Sequence, residues 1–345
     1  MPYFLVPGTP YSPARKLLLN MELVESLFDL SDLQTIVAFG QSCKYMATTA
    51  QWYLRQRLNI LSARFFDNCK DLAFVLEACD AVVSGSTALH FLLPIVSTPW
   101  SPTDLDIYVP FCCQLQLSNL LKQRGYRLEK KRKSNESRSF YSGSKIFAAL
   151  TFTKAHNKID VVVSTSDCAI LPVFQFHCTA VMNFITPNSI FCAYPSLTFQ
   201  SLSMMNGSPL YNGSFSPLGV KALIKYKKRG FVFISCPATH EFPFACKSAN
   251  RCLTDGGCLW VDIDVVPRAG KRPENMFGRL VVIDVNWALG GLLVEVAHAP
   301  GVNRRRSAHK TATHISVDLV IVLFRVDVTC HTSHVTVTRH NVCCI

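Results

Sequence analysis

The chain has 345 residues, 49% of them hydrophobic and 17% charged, with a net charge of +12. These proportions suit globular material with a sizeable core and room for two domains, and they exclude a disordered tail or a coiled coil. No apolar run approaches the roughly twenty residues of a membrane span, so no membrane partner is expected.

Residues 1–14 read as an N-terminal tail. MPYFLVPGTPYSPARK has prolines and no sustained apolar segment ahead of a small-residue cleavage site, so no signal peptide is expected. Many of the fifteen cysteines, such as Cys79, Cys168, Cys178 and Cys192, fall in apolar context. They read as reduced buried thiols, which implies an intracellular address, cytoplasmic or nuclear. The sequons that begin at Asn135, Asn206 and Asn212 are then loops rather than glycosylation sites.

Residues 15–78 form a helical segment. Within residues 17–58, LLLNMELVESLFDLSDLQTIVAFGQSCKYMATTAQWYLRQRL, a short helix ends at a Leu27–Leu30 turn. Ser31 is placed to cap a helix over 32–40, and a polar Gln41-Ser42-Cys43 break precedes a third helix with Trp52 and Leu54. This stretch resembles an F-box, and the resemblance implies that Leu23, Leu27 and Leu30 lie against a Skp-type adaptor. Asn20 follows Leu19 where an F-box usually opens with leucine-proline. The plainer reading is a helical bundle that buries its leucines against the following domain.

Residues 79–230 carry the chemistry. Ala81, Val82 and Val83 form a short apolar run ended by Ser84, Gly85 and Ser86; Ala88, Leu89, Leu92 and Leu93 then recur at helical spacing until Pro94. A glycine at a strand-to-helix turn presents free backbone N–H groups and lets a phosphate approach closely. In TDLDIYVP, Leu105, Ile107 and Val109 alternate with Asp104, Asp106 and Tyr108, so both aspartates project from one face, about 7 Å apart along the strand. In NKIDVVVS, Ile159, Val161 and Val163 alternate around Asp160, and the preceding SKIFAALTFT makes this the second arm of a hairpin.

Glycine-serine before a helix, then Asp-x-Asp on an apolar strand, then a lone aspartate within another, resembles the nucleotidyltransferase superfamily over about a quarter of the chain. The resemblance implies an α+β fold, a mixed sheet flanked by helices. It further implies that Gly85 and Ser86 grip a nucleoside triphosphate, that Asp104 and Asp106 bind Mg²⁺, and that Asp160 is the third metal-binding and catalytic carboxylate. Two functions follow: metal-dependent transfer of a nucleoside monophosphate to an unknown acceptor, or an F-box-like adaptor that uses an inactive domain of this kind for recognition.

Between Lys122 and Arg138 stand eight basic residues against Glu129 and Glu136. Their start, QLQLSNLLKQRGY, reads as a helix ended by Gly125. The remainder reads as a basic loop, which either contacts the phosphates of a nucleotide or nucleic acid or is simply solvated. A second cluster, in ALIKYKKRGF, sits on a helix ended by Gly230, where Lys225 or Lys228 either meets a phosphate or only water. VFQFHCTAVMNFIT reads as helical with His177 a satisfied core residue, SIFCAYP as a strand, and NGSPLYNGSFSP as a loop.

Residues 231–270 form a cysteine-containing extension. The spacing of Cys236, His240, Cys246, Cys252 and Cys258 fits a loose loop better than zinc, which uses closer pairs. Residues 271–345 show strand-like alternation with no chemical motif. Three readings stay open there: edge strands of the main sheet, a small separate β unit, or a poorly folded region.

Overall fold

The computed structural model describes residues 20–133, 145–206, 217–234, 250–263, 285–289 and 293–295. The 1–14 tail, Asn135, Asn212, Cys236, His240, Cys246, most of NGSPLYNGSFSP and everything after 295 lie outside the described residues.

Chain order begins with helices α1 (Met21–Asp29), α2 (Leu33–Ser42), α3 (Lys44–Phe65) and α4 (Asp71–Ala78). Asn20, in the place of the missing proline, is the N-cap of α1: its side-chain oxygen accepts from the Leu23 backbone N–H at 3.2 Å. The cap of α2 is Asp32, whose Oδ1 accepts from Thr35 N at 2.8 Å. Ser31, the residue expected there, instead turns its hydroxyl back to the Leu27 carbonyl, because an aspartate stands one position nearer the first turn.

Strand β1 (Val82–Ser84) runs into helix α5 (Gly85–Leu92), followed by β2 (Leu105–Val109), helix α6 (Gln114–Gln123), β3 (Arg127–Lys133), β4 (Ile146–Lys154) and β5 (Asn157–Ser164). Next come β6 (Asn183–Ile185), β7 (Ser189–Cys192), the short helix α7 (Pro195–Thr198), β8 (Leu202–Met204), helix α8 (Pro217–Lys228) and β9 (Val232–Ile234). The described chain closes with β10 (Arg251–Cys252), β11 (Leu259–Asp262), β12 (Val285–Trp287) and β13 (Leu293–Glu295).

Eight strands form one sheet in the order β11-β7-β6-β1-β2-β5-β4-β3. The sheet is mixed: β2 and β5 run parallel, and the other neighbours are antiparallel. Its flanking helices make the fold α+β, as expected.

Alternation sorts the side chains to two faces. Leu105, Ile107 and Val109 of β2 are fully buried, and they join Ile159, Val161 and Val163 of β5 and Leu150 and Phe152 of β4 in one core. Val24 and Phe28 of α1, Leu33 and Ile36 of α2, Leu58 of α3, Leu76 of α4 and Leu121 of α6 pack into the same core. On the opposite face Val82, Tyr108, Phe184 and Phe191 pack with residues 168–174, Met204 and Trp287. The three aspartates of the motif belong to this second face.

Several local expectations change. Residues 173–186 form no α-helix. They contain 3₁₀ turns at Leu171–Gln175 and Thr179–Val181, separated by the extended Cys178, and then enter β6. A segment buried along most of its length carries no clear period from which a helix can be told from other buried chain. Residues 127–133 of the basic stretch are not a loop but the outer strand β3, Arg138 lies outside the described residues, and Arg124 is drawn away to Asp71 at 2.9 Å.

Asn206, the middle sequon, buries its amide against the Phe174 carbonyl at 3.2 Å. Beyond 230, β11 joins the edge of the main sheet beside β7, whereas β10, β12 and β13 make a separate three-stranded sheet. Arg251, 1% exposed, ties that small sheet down through Asp255 and the Ala193 carbonyl. No helix among the described residues is long and apolar enough to cross a membrane.

Phe28 is fully buried, with its ring centroid 5.2 Å from that of Tyr53 and 6.1 Å from that of Phe39. Phe28→Ala should lower stability by about 3–5 kcal/mol in denaturant unfolding. Because its core continues into the sheet, loss should move one cooperative transition rather than create a second, earlier one.

Candidate metal centre

The pairing of β2 with β5 builds the site. Parallel register sets Leu105 opposite Ile159 and Asp106 opposite Asp160, so Asp104, Asp106 and Asp160 share a face. One carboxylate oxygen from each lies within 4.8 Å of the other two. Among the described residues this is the one group of three or more ligating side chains close enough to share an ion, and each member is partly buried. The β4–β5 hairpin that delivers Asp160 closes through Ala155 and His156, with Ala155 at φ 51°.

Antiparallel β1 brings the glycine-serine turn to the same place, since Ser84 pairs with Asp106. Gly85 has φ +67°, and a Cβ there would overlap Asp106 Oδ2. Glycine is thus required twice, by backbone conformation and by the approach of the carboxylate. Ser84 is buried and donates its hydroxyl to the Asn183 carbonyl at 2.5 Å, locking β1 to β6. Thr87 donates to the backbone carbonyl of Asp104 at 2.9 Å, which fixes the entrance to β2 against α5.

Ser86, 2% exposed, accepts a hydrogen bond from Lys225 Nζ at 3.1 Å. Of the lysines considered on α8, Lys225 therefore reaches inward. Burial and then Arg229 hold its amine below the ordinary lysine range, with Asp104 and Asp106 opposing that shift. His177 stacks on Tyr226, ring centroids 5.5 Å apart, but its buried Nε2 has no partner. It is a core histidine that is not satisfied. Burial and then Lys225 push its pKa down to about 4, so it stays neutral.

A residue the sequence reading did not single out sits among the carboxylates. Lys158 Nζ lies 2.5 Å from Asp160 Oδ2 and 3.4 Å from Asp104 Oδ2. Burial pulls its pKa down, but the Asp160 bond and the charges of Asp160 and Asp104 outweigh it, and the net direction is up. Thr151 of β4 donates to Asp160 Oδ1 at 2.8 Å. The one signal available in the sequence was spacing: Lys158 stands two residues before Asp160 on a strand, hence on the same face.

A groove of about 470 Å³ opens from Asp106 and Asp160 across β4 to β3, lined also by Thr151, Lys158, Glu129, Lys130 and Arg132. Lys130 faces Thr151 and Arg132 faces Ala149 in the β3–β4 register. The outer strand therefore turns two cations into the groove that begins at the carboxylates.

The donor set suits a hard divalent cation, which takes oxygen ligands. Burial, then the charges of Asp104 and Asp160, raise the Asp106 pKa to about 7. A bound cation would remove that repulsion.

Of the leucines expected to meet an adaptor, Leu23 is 48% and Leu30 62% exposed, whereas Leu27 is partly buried against the main core. The three do not form one open strip. The zinc candidates Cys252 and Cys258 join no metal-ligating group among the described residues.

A raised carboxyl pKa means that the folded chain holds a proton the unfolded chain has lost between the ordinary carboxylate range and about 7. Metal-free stability should therefore fall as pH rises through that window. Asp106→Asn should flatten the fall, giving a protein more stable than wild type at about pH 8 and closer to it at about pH 5 in urea unfolding. Parallel pH profiles for the two proteins would contradict this. Gly85→Ala, in turn, should cost about 1–3 kcal/mol through its positive φ, and it should displace the Asp106 carboxylate and weaken Mn²⁺ binding.

Comparison of the chain with protein-family models, with curated proteins and with solved structures returned no match.

Proposed function

We propose that the chain transfers a nucleoside monophosphate from a nucleoside triphosphate to an acceptor in a reaction that depends on divalent metal. The observation that carries this reading is the convergence of Asp104, Asp106 and Asp160 beside the Gly85 turn. In such a reaction an acceptor oxygen attacks the α-phosphorus, the bond to the bridging oxygen breaks, pyrophosphate leaves and the acceptor proton is released. Asp104 and Asp106, with Asp160 beside them, are the carboxylates available to Mg²⁺, which would supply charge stabilisation to an in-line displacement at the α-phosphorus.

The remaining parts are the chain's own. The N-terminus of α5 offers backbone N–H groups to phosphate oxygens, without a Cβ at Gly85 to block them. Lys225, already at the Ser86 hydroxyl, is the cation placed to meet the triphosphate there. Lys130 and Arg132 give the groove positive charge for an anionic acceptor, which extends the nucleic-acid reading of the 122–138 stretch to specific side chains.

A second reading is favoured by the exposure of Leu23 and Leu30. In it, α1 docks a Skp-type adaptor and the sheet domain serves recognition without turnover.

Purified full-length chain should release pyrophosphate from at least one of the common nucleoside triphosphates in Mg²⁺. Asp104→Ala with Asp106→Ala should abolish the release, a loss of at least about a hundredfold. Absence of nucleotide binding, together with adaptor capture that Leu23→Asp and Leu30→Asp prevent, would select the second reading.

A further inference from the structure

The three carboxylates are not equivalent. Asp160 is engaged at both oxygens, Oδ1 by the Thr151 hydroxyl at 2.8 Å and Oδ2 by the Lys158 amine at 2.5 Å. Asp104 receives a longer contact from the same amine, 3.4 Å to Oδ2. Asp106 accepts no hydrogen bond at its carboxylate from any described residue. A Cβ at Gly85 would overlap its Oδ2, so glycine leaves that oxygen room. Open lone pairs therefore concentrate on Asp104 and Asp106.

The strand fixes the face from which Lys158 projects. Parallel register puts Leu105 beside Ile159 and Asp106 beside Asp160, so Lys158 lies across from Asp104 on the aspartate face. From that position its amine meets both carboxylates, 2.5 Å from Asp160 Oδ2 and 3.4 Å from Asp104 Oδ2. A two-ion centre requires cations about 3.5–4 Å apart, both touching carboxylate oxygens. One of those positions would fall against an ammonium already bonded to Asp160, and like charges at that range repel strongly in a partly buried site.

Building on the metal-centre reading above, we propose that Lys158 stands where a second cation would otherwise sit. The centre takes a single divalent ion, on Asp104 and Asp106, while Asp160 remains bonded to Lys158 and Thr151. Lys158 is then a positioning residue: it orients Asp160 and limits the number of ions.

Counting Mn²⁺ on the full-length chain tests this, with free Mn²⁺ followed by its electron paramagnetic resonance signal. Wild type should bind one ion per chain, and Lys158→Ala, which frees an oxygen of Asp160, should bind two. Lys158→Met combined with Asp160→Asn removes the pair without changing net charge. That double variant should keep the single ion at an affinity within about threefold of wild type, whereas Asp106→Asn should lose at least about tenfold.

Two ions on wild type would overturn the proposal and leave the metal centre standing. So would one ion on both wild type and Lys158→Ala, or a double variant as weak as Asp106→Asn. Failure of Mn²⁺ to bind wild type or any variant would remove the metal centre itself, and this inference with it. If Lys158→Ala fails to fold, shown by its circular dichroism, the double variant alone decides.

Discussion

Three carboxylates within 4.8 Å of one another repel, and the backbone must hold them there against that repulsion. The register of β2 against β5 does so. Each strand buries one row of branched side chains, Leu105, Ile107 and Val109 on β2 and Ile159, Val161 and Val163 on β5. A slip of one residue in either strand would turn its row to the wrong face. Apolar burial on one side of the sheet is therefore what fixes the charges on the other, and the site's strain is offset by packing that never touches it.

Much of this was legible. The period of two in TDLDIYVP and NKIDVVVS, the glycine-serine break and the hairpin ahead of Asp160 all come from constraints within a few residues, which a sequence displays directly. Lys158 was not legible as part of the site, because a lysine at the start of a strand is usually solvated, and its role shows only where the fold brings Asp104 beside it as well as Asp160. Lys225 posed a similar problem. On α8 it reads as one more surface cation until the fold brings Ser86, far away in the chain, to its amine.

Misread segments have a common cause as well. Most of residues 173–186 are buried, polar Thr179 and Asn183 included, so the apolar positions mark no single face. In the basic stretch after Gly125, charge hid a strand. As the outermost strand of the sheet, β3 can carry Lys130, Lys131 and Arg132 because an edge has one side without a partner strand, and charge there discourages pairing with another chain. A composition that reads as loop is also what a protected edge looks like.

The helical segment bears on which function is the better reading. A docking module that merely precedes a second domain would keep its own core, with its leucine face free. Here Phe28, Leu33, Ile36 and Met46 share one core with Ile107, Leu121 and Val161. Arg57 of α3 is buried, packing its guanidinium 4.6 Å from the Phe91 ring of α5, the helix that begins at Gly85. Burial lowers the Arg57 pKa, opposed by Tyr53 and Asp29, so α3 and α5 meet through a charge that has few ways to rearrange. The N-terminal helices thus brace the turn that touches Asp106. Whatever Leu23 and Leu30 contact from outside, the structural work of α1 to α4 is to hold the candidate metal centre in register.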